Sequence, residues 1–220
     1  MSDEPREAVL RATYRALCAH GYANLTMQDI ADEAGLSKAA LHYHYDTKRD
    51  LLTAFLDSLA SWHEGRLEEL QGETAAERLR SLFDECLSAG EDADIDYPAF
   101  HTAMLEVKAQ APYEAAYRER LTAVDDVVCA RVRDLVAEGV DDGTFRPVDP
   151  DATATFIVDV LVGAHTRHVA VGHALDDTRA LLDRYVDDHL LATADDRESG
   201  HDQDPDHDSN TDHDTVEATR

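Results

Sequence analysis

Residues 21–52 read GYANLTMQDIADEAGLSKAALHYHYDTKRDLL, and this stretch decides the fold of the chain. Thr26 stands three residues before Asp29, which is the spacing of a capping box at a helix N-terminus. The sequence therefore predicts a helix that begins at Met27. That helix should end at Gly35, because glycine readily adopts the left-handed backbone conformation that closes many helices.

A second helix is predicted directly after this glycine, and Ser37 has the form of its N-cap. Leu41 and Tyr45 are four residues apart in this helix and therefore share a face, which we expect to be buried. A short connection that contains glycine is the helix-turn-helix pattern, whose second helix enters the major groove of DNA. The side chains expected on the outer face are Lys38, Ala39, His42 and Tyr43.

A third capped helix follows, because Thr47 and Asp50 repeat the capping-box spacing. Lys48 lies in its first turn, where a lysine beside free backbone N–H groups suits a phosphate oxygen. Three capped helices could also form a small core and nothing more, but this register of basic and aromatic residues favours DNA binding. The predicted DNA-binding residues are Thr26, Gln28, Ser37, Lys38, Ala39, Ala40, His42, Tyr43, His44 and Lys48.

The segment resembles the DNA-binding domain of the TetR family of transcriptional regulators. Four positions depart from the family pattern. His42 replaces a tyrosine that usually contacts phosphate, and Asp46, Thr47 and Arg49 stand where the family usually has a proline, a serine and an acidic residue. Asp46 would repel phosphate, although Arg49 could compensate. The residues that carry the resemblance are Thr26, Ile30-Ala31, Ala34-Gly35-Leu36-Ser37, Leu41, Tyr43-His44, Lys48 and Leu51-Leu52.

The resemblance implies an all-α fold, with an N-terminal three-helix helix-turn-helix DNA-binding domain followed by a larger helical ligand-binding and dimerisation domain. We expect these domains at residues 1–50 and 51–192. Residues 193–220 should form a disordered acidic tail, because their apolar content is too low for a core.

The resemblance also implies a dimeric repressor that binds a palindromic operator in double-stranded DNA and is released by an unknown small-molecule effector. The homodimer would form through the last two helices. A monomeric bundle is the alternative, but a single DNA-binding head cannot read a two-fold operator.

Family members commonly bind their effector inside the second domain, so its large aromatic and polar side chains are candidate lining residues. Ordinary core packing is the alternative for most of them. The predicted pocket residues are Trp62, Phe83, Phe100, His101, Met104, Tyr113, Tyr117, Phe156 and His165.

Two groups of histidines raise the question of a metal site. His165 and His168 could bind a metal with Asp159, but a surface or dimer-interface role is favoured. In the tail, solvation is a simpler interpretation than metal binding for His201, His207 and His213. No metal or cofactor is predicted.

The charge of the chain is unevenly distributed. The formal net charge is -27 over 220 residues, yet residues 1–50 hold six Lys/Arg against eight Asp/Glu, a net of -2, which leaves -25 for residues 51–220. Lysine depletion with abundant aspartate resembles proteins of salt-loving archaea. Three widely spaced cysteines suggest free thiols in a reducing cytoplasm, and neither a signal peptide nor a membrane-spanning run is evident.

Two other classes of function compete with a regulator. An acidic helical protein-interaction module that has lost DNA binding would account for His42 and Asp46. An enzyme is disfavoured, because the sequence has no Gly-rich phosphate loop, nucleophile elbow or HExxH motif.

Apolar stripes and turn residues organise the rest of the chain. An acidic loop is predicted at 90–98, and helices are predicted at 5–20, 47–71, 74–89, 98–109, 112–138, 150–171 and 176–192.

Overall fold

The computed structural model describes residues 3–87 and 97–193, and in these ranges the chain is helical, with no β-strand. This confirms the predicted all-α class. None of the helices in the described ranges is long and apolar enough to cross a membrane. The predicted loop at 90–98 falls largely outside the described residues, and the acidic tail with its three histidines does so from residue 194 onward. The helices are α1 (Asp3–Asn24), α2 (Met27–Glu33), α3 (Lys38–His44), α4 (Lys48–Glu68), α5 (Ala75–Leu87), α6 (Tyr97–Lys108), α7 (Ala115–Asp141), α8 (Pro150–Val171) and α9 (Asp176–Tyr185), which continues into a π-helical turn at Val186–Leu190.

The first core cluster holds α1, α2 and α3 against the beginning of α4; these elements are called the head below. Leu41 and Leu52 are fully buried in it. The same cluster also takes Phe100 and Met104 from α6 and Tyr117 from α7. Truncation of a buried leucine costs about 2–5 kcal/mol. The head is therefore packed continuously onto α6 and α7, and its hydrophobic core does not end at residue 50.

The second core cluster joins α5, α7, α8 and α9. The turn between α7 and α8 is held against the end of the last helix, because Arg146 N donates to the Leu190 carbonyl at 2.8 Å and Ala192 N donates to the Thr144 carbonyl at 2.9 Å. The Phe145 ring fills the space beside Gly139, where an added Cβ would overlap the ring. Glycine at this position is thus required by a close approach.

Several predicted helix boundaries differ from those of the structure, and two of the differences have a clear local cause. The long helix α7 begins at Ala115, because the N–H groups of Tyr113 and Glu114 both donate to the Gln110 carbonyl and close a turn around Pro112. The last α-helix ends at Tyr185, where the hydrogen bonding widens into a π-helical turn. Local apolar periodicity does not distinguish these turns from regular helix.

Candidate DNA interface and ligand cavity

The helix-turn-helix is held by local hydrogen bonds that follow from the sequence. Thr26 Oγ1 accepts from Asp29 N at 3.3 Å, and the Asp29 carboxylate accepts from Thr26 N at 2.8 Å. Hydrogen bonds from Thr26 lower the pKa of the Asp29 carboxyl. Ser37 Oγ accepts from Ala40 N at 3.1 Å, and Gly35 has φ +65° in the turn. The predicted capping box, N-cap and glycine turn are all confirmed.

The face of α3 that surrounds the buried Leu41 is open to solvent. Exposed side chains on α3 are Lys38, Ala39, Ala40, His42, Tyr43 and His44. Thr26, Gln28 and Ser37 are exposed at the starts of α2 and α3, although the Gln28 amide donates to Asp32 at 2.7 Å. The Tyr43 ring stands 84% exposed and meets the His44 ring edge-on at 5.0 Å. A short helix so exposed has the dimensions that the major groove admits.

Ala40 and His44 point toward α1 rather than straight outward. They border an apolar groove of about 410 Å³ that the N-terminal turns of α1 complete through Pro5, Ala8 and Val9. The side chains of Lys38, Ala39, His42 and Tyr43 therefore form the outermost part of the predicted DNA-binding face.

Lys48 has a different environment from the one that the sequence suggested. Its Nζ donates to the carbonyls of Tyr22 and Leu25 at 2.9 and 3.0 Å and lies 4.5 Å from the centre of the Tyr22 ring. Burial lowers the pKa of the Lys48 ammonium. Two of the three N–H donors of the ammonium are thus engaged with the end of α1, so the side chain stabilises the head from within. The backbone N–H groups of the first turn of α4 are what remains for a phosphate at this position.

Arg49 is also engaged within the protein. Its guanidinium lies 3.8 Å from the Asp50 carboxylate and 3.9 Å from that of Glu114 at the start of α7. The positive charge of Arg49 is therefore shared with two carboxylates, which weakens the suggestion that it compensates for Asp46.

A short hydrogen bond links α6 to the end of α1, in addition to the apolar packing of α6 on the head. The helix α1 is interrupted at Gly21, which has φ +68°, and this exposes the N–H of Tyr22. Glu106 of α6 accepts from Tyr22 N at 2.6 Å. A Cβ at position 21 would approach the Glu106 carboxylate to 3.1 Å, so glycine leaves room for this contact.

A cavity of about 210 Å³ lies between α4, α5, α6, α7 and α8. Its wall is mainly apolar, as ligand sites usually are. Five of the nine predicted pocket residues line it, namely Trp62, Phe100, His101, Met104 and His165.

The other four predicted pocket residues lie elsewhere. Phe83 is fully buried in the second core cluster, and Tyr117 is buried in the first. Tyr113 is 84% exposed because it lies in the turn before α7. Phe156 is 47% exposed on the outer side of α8, with its ring 5.0 Å from that of Tyr185.

The sequence reasoning missed the charged residues of the cavity, namely Glu85, Lys108 and Asp125, and the histidine His63. Lys108 carried a usable signal, because it is one of only three lysines in the chain and follows His101 by two helical turns. The Glu85 carboxylate is neutralised by Arg66, which donates to it at 2.5 and 2.7 Å.

The imidazoles of the cavity are neutral near pH 7. Burial lowers the pKa of His63 and of His101 to about 4, and it lowers the pKa of His165 as well. The rings of His101 and His165 lie 4.3 Å apart, centre to centre. Burial also raises the pKa of the Cys86 thiol to about 12, which makes it a packing residue rather than a nucleophile.

The residues that the structure describes contain no cluster of three metal-ligating side chains. His168 Nδ1 is within hydrogen-bond distance of the His173 carbonyl, at 2.8 Å, and Asp159 is exposed.

Two family models match the chain. The model of bacterial regulatory proteins of the TetR family matches residues 9–55, and that of the C-terminal part of BetI-type transcriptional repressors matches residues 75–191. Among curated relatives, the HTH-type regulator TtgR of Pseudomonas putida is 36% identical over 63 residues, which is 29% of this chain and 30% of that protein. The chain thus matches about a third of the length of this relative.

Solved structures extend the similarity to the whole fold. A TetR transcription regulator from Haloarcula marismortui superimposes with a TM-score of 0.77 at 37% identity, covering 86% of this chain and 99% of that one. A transcriptional regulator from Saccharomonospora viridis in complex with choline gives a TM-score of 0.71 at 25% identity, covering 87% of this chain and all of that one. The two family models and the similarity to the Haloarcula marismortui regulator cover both the helix-turn-helix and the helices around the cavity. The chain therefore belongs to the TetR family of transcriptional regulators.

Proposed function

We propose that this protein is a cytoplasmic, dimeric repressor of transcription that binds a palindromic DNA operator and is released by a small-molecule effector. The observation that carries the proposal is the exposed face of α3. The head that holds this helix matches a family of regulatory proteins. The acidity of the chain does not oppose it, because the head holds only -2 of the net charge of -27.

α3 would be the recognition helix. Tyr43 and His42 can donate hydrogen bonds to base edges or phosphates, and Ala39 allows the helix to approach the bases closely. Lys38 would contact a phosphate, since it is exposed and no described residue forms an ion pair with it. The first turn of α4 would offer backbone N–H groups to a second phosphate.

The effector would act through α6. This helix lines the cavity with His101 and Met104 on one side and holds the head through Glu106 and Tyr22 N on the other. A ligand changes an equilibrium only by binding its states with different affinity. A molecule that fits the cavity in one position of α6 would therefore favour one orientation of the head and change the spacing of the two heads.

The outer faces of α8 and α9 are the proposed dimer interface. Phe156 on α8 and Leu181 on α9 are about half exposed, at 47% and 56%, and the Tyr185 ring packs on Phe156. Gly163 lies seven residues, about two helical turns, after Phe156 and therefore on the same side of α8. Among the described residues, no atom from outside this stretch of α8 lies within 4 Å of where its Cβ would be. An apolar pair around a glycine suits the close approach of a partner helix.

The test is selection of operator sequences from random double-stranded DNA, followed by gel shifts over a range of salt concentrations. Lys38→Met should weaken binding to all sequences and lower the salt slope by about 1 per site, whereas Tyr43→Ala should change the preferred sequence. Arg118→Met is a matched control, because it removes an exposed cation from α7 rather than from α3. Failure to enrich any sequence at low or high salt would refute DNA binding and favour the protein-interaction module.

A further inference from the structure

Lys108 places a positive charge in the cavity wall. None of the described residues is in direct contact with this charge as an ion-pair partner. It stands at the end of α6, lines the cavity and is exposed, so it lies where the cavity meets solvent. Within the described part of the chain, no side chain forms an ion pair or hydrogen bond with its ammonium. Desolvation by the surrounding helices lowers the pKa of this ammonium although part of the side chain is exposed to solvent, and the charge of Asp125 raises the pKa only in part. An anion beside Lys108 would gain a full charge partner.

The neighbouring imidazoles are compatible with an anion at this position. His63, His101 and His165 come from α4, α6 and α8, and all three feel the charge of Lys108. Since they are neutral near pH 7, each carries one N–H donor and adds no negative charge. A carboxylate that reached Lys108 could accept a hydrogen bond from His63 or from His165 as well.

The same wall offers a cation little beyond the exposed carboxylate of Asp125. Glu85 is already bound by Arg66 through two hydrogen bonds, and the Arg66 guanidinium lies 5.0 Å from the centre of the Trp62 ring. The Phe100 ring packs on Tyr14 at 5.0 Å. A quaternary ammonium binds over an aromatic face, and one face of the Trp62 ring already has the Arg66 cation beside it.

The size of the cavity limits the ligand. A volume of about 210 Å³ is below the ~300–1,000 Å³ of most ligand pockets, so the ligand should be small. The remaining wall is apolar and includes Leu121, Val124 and Val158. The part of the ligand away from Lys108 should therefore be a short hydrocarbon chain or a single ring.

We infer that the cavity binds a small apolar carboxylic acid, with its carboxylate paired to Lys108 and its hydrocarbon part against α7 and α8. The inference rests on the proposed function, because it names the chemical class of the effector. The Asp125 carboxylate also lines the cavity, so it repels the acid and lowers its affinity.

The experiment measures binding of matched probes to the full-length protein by calorimetry and by fluorescence of Trp62, the only tryptophan of the chain and a residue of the cavity. The probes are phenylacetate and hexanoate, their neutral amides phenylacetamide and hexanamide, and choline. We expect each acid to bind at least tenfold more tightly than its amide and than choline, which is the effect of one charge-assisted contact.

Three variants locate the effect, each checked for fold by circular dichroism. Lys108→Met should weaken acid binding at least tenfold and leave amide binding unchanged, Lys108→Arg should keep most of the affinity for the acid, and Asp125→Asn should strengthen it severalfold. Equal affinities for acid and amide, tighter binding of choline, an unaffected Lys108→Met variant, or no acid binding at millimolar concentration would each overturn the inference.

A gel shift of the wild-type protein with the selected operator, with and without phenylacetate, separates the two proposals. Operator binding without acid binding overturns only the ligand class. Acid binding without operator binding overturns only the proposed function.

Discussion

Replacing Lys48 by methionine keeps the apolar stem of the side chain and removes its ammonium. The ammonium makes two hydrogen bonds to the end of α1, at 2.9 and 3.0 Å, and one contact with the Tyr22 ring. A hydrogen bond to a charged group contributes about 1.5–3 kcal/mol when buried. Because Lys48 is half-buried and water can reach the freed carbonyls, we expect a loss of about 1–3 kcal/mol in the free energy of unfolding.

The assay is thermal and denaturant unfolding in the presence of constant salt. For a chain of this size, 1 kcal/mol corresponds to a change of about 2–4 °C in the melting temperature, so a fall of roughly 3–10 °C is expected. Lys38→Met is the matched control, since it removes the same charge from an exposed position of the head and should change stability by less than about 0.5 kcal/mol.

DNA binding completes the comparison between these two lysines. Lys38→Met should lower the dependence of operator affinity on salt, because a phosphate contact is lost. Lys48→Met should keep that dependence, because its ammonium is bound to backbone carbonyls. If Lys48→Met proves as stable as the control and instead reduces the salt dependence, the intramolecular role of Lys48 is refuted and a phosphate contact takes its place.

Three further predictions follow from the packing, the cavity and the outer helices. Gly139→Ala should destabilise the protein by about 1–3 kcal/mol in denaturant unfolding, because its methyl group would overlap the Phe145 ring, whereas Gly65→Ala, in open space within α4, should stabilise it by about 0.5–1 kcal/mol. An imidazole in the unfolded chain has a pKa near 6.5, whereas those of His63 and His101 in the folded protein have a pKa of about 4. The unfolded chain therefore binds more protons between these values, so the free energy of unfolding should fall as the pH falls from about 6.5 to about 4. His101→Gln should reduce this dependence of stability on pH. Leu181→Glu should convert the dimer to a monomer in light scattering after size exclusion, while Thr122→Glu, an exposed site on α7, should not; a dimer that survives Leu181→Glu would place the interface elsewhere.

The head could be predicted from sequence because its boundaries are set by contacts three or four residues apart. Thr26 with Asp29, Ser37 with Ala40, and Gly35 at positive φ each lie within one turn of their partners. Such interactions are written directly in the sequence and need no knowledge of the tertiary fold.

The cavity could be predicted only in part, because its lining depends on how five helices meet. Aromatic residues are as typical of a hydrophobic core as of a ligand pocket. Phe83 and Tyr117 were therefore predicted to line the pocket, whereas the structure places both in the core. Lys48 was misplaced for a related reason: its partners are the carbonyls of residues 22 and 25, more than twenty positions away. A side chain that reaches across the fold leaves no periodic pattern in the sequence.

The engagement of Lys48 and Arg49 changes how this head can recognise DNA. Each phosphate that a protein neutralises with a cation adds about 0.9 to the slope of log affinity against log salt, and Lys38 is the α3 cation left for that purpose. A head with few such contacts gains less affinity at low salt but loses less at high salt, where the Debye length falls to about 3 Å. Recognition then depends on hydrogen bonds from Tyr43 and His42, on helix N-termini and on the pairing of two heads. These contributions depend less on salt than ion pairs with phosphate do. The sparse positive charge of the head and the strong acidity of the rest of the chain are therefore both consistent with a protein that works in concentrated salt.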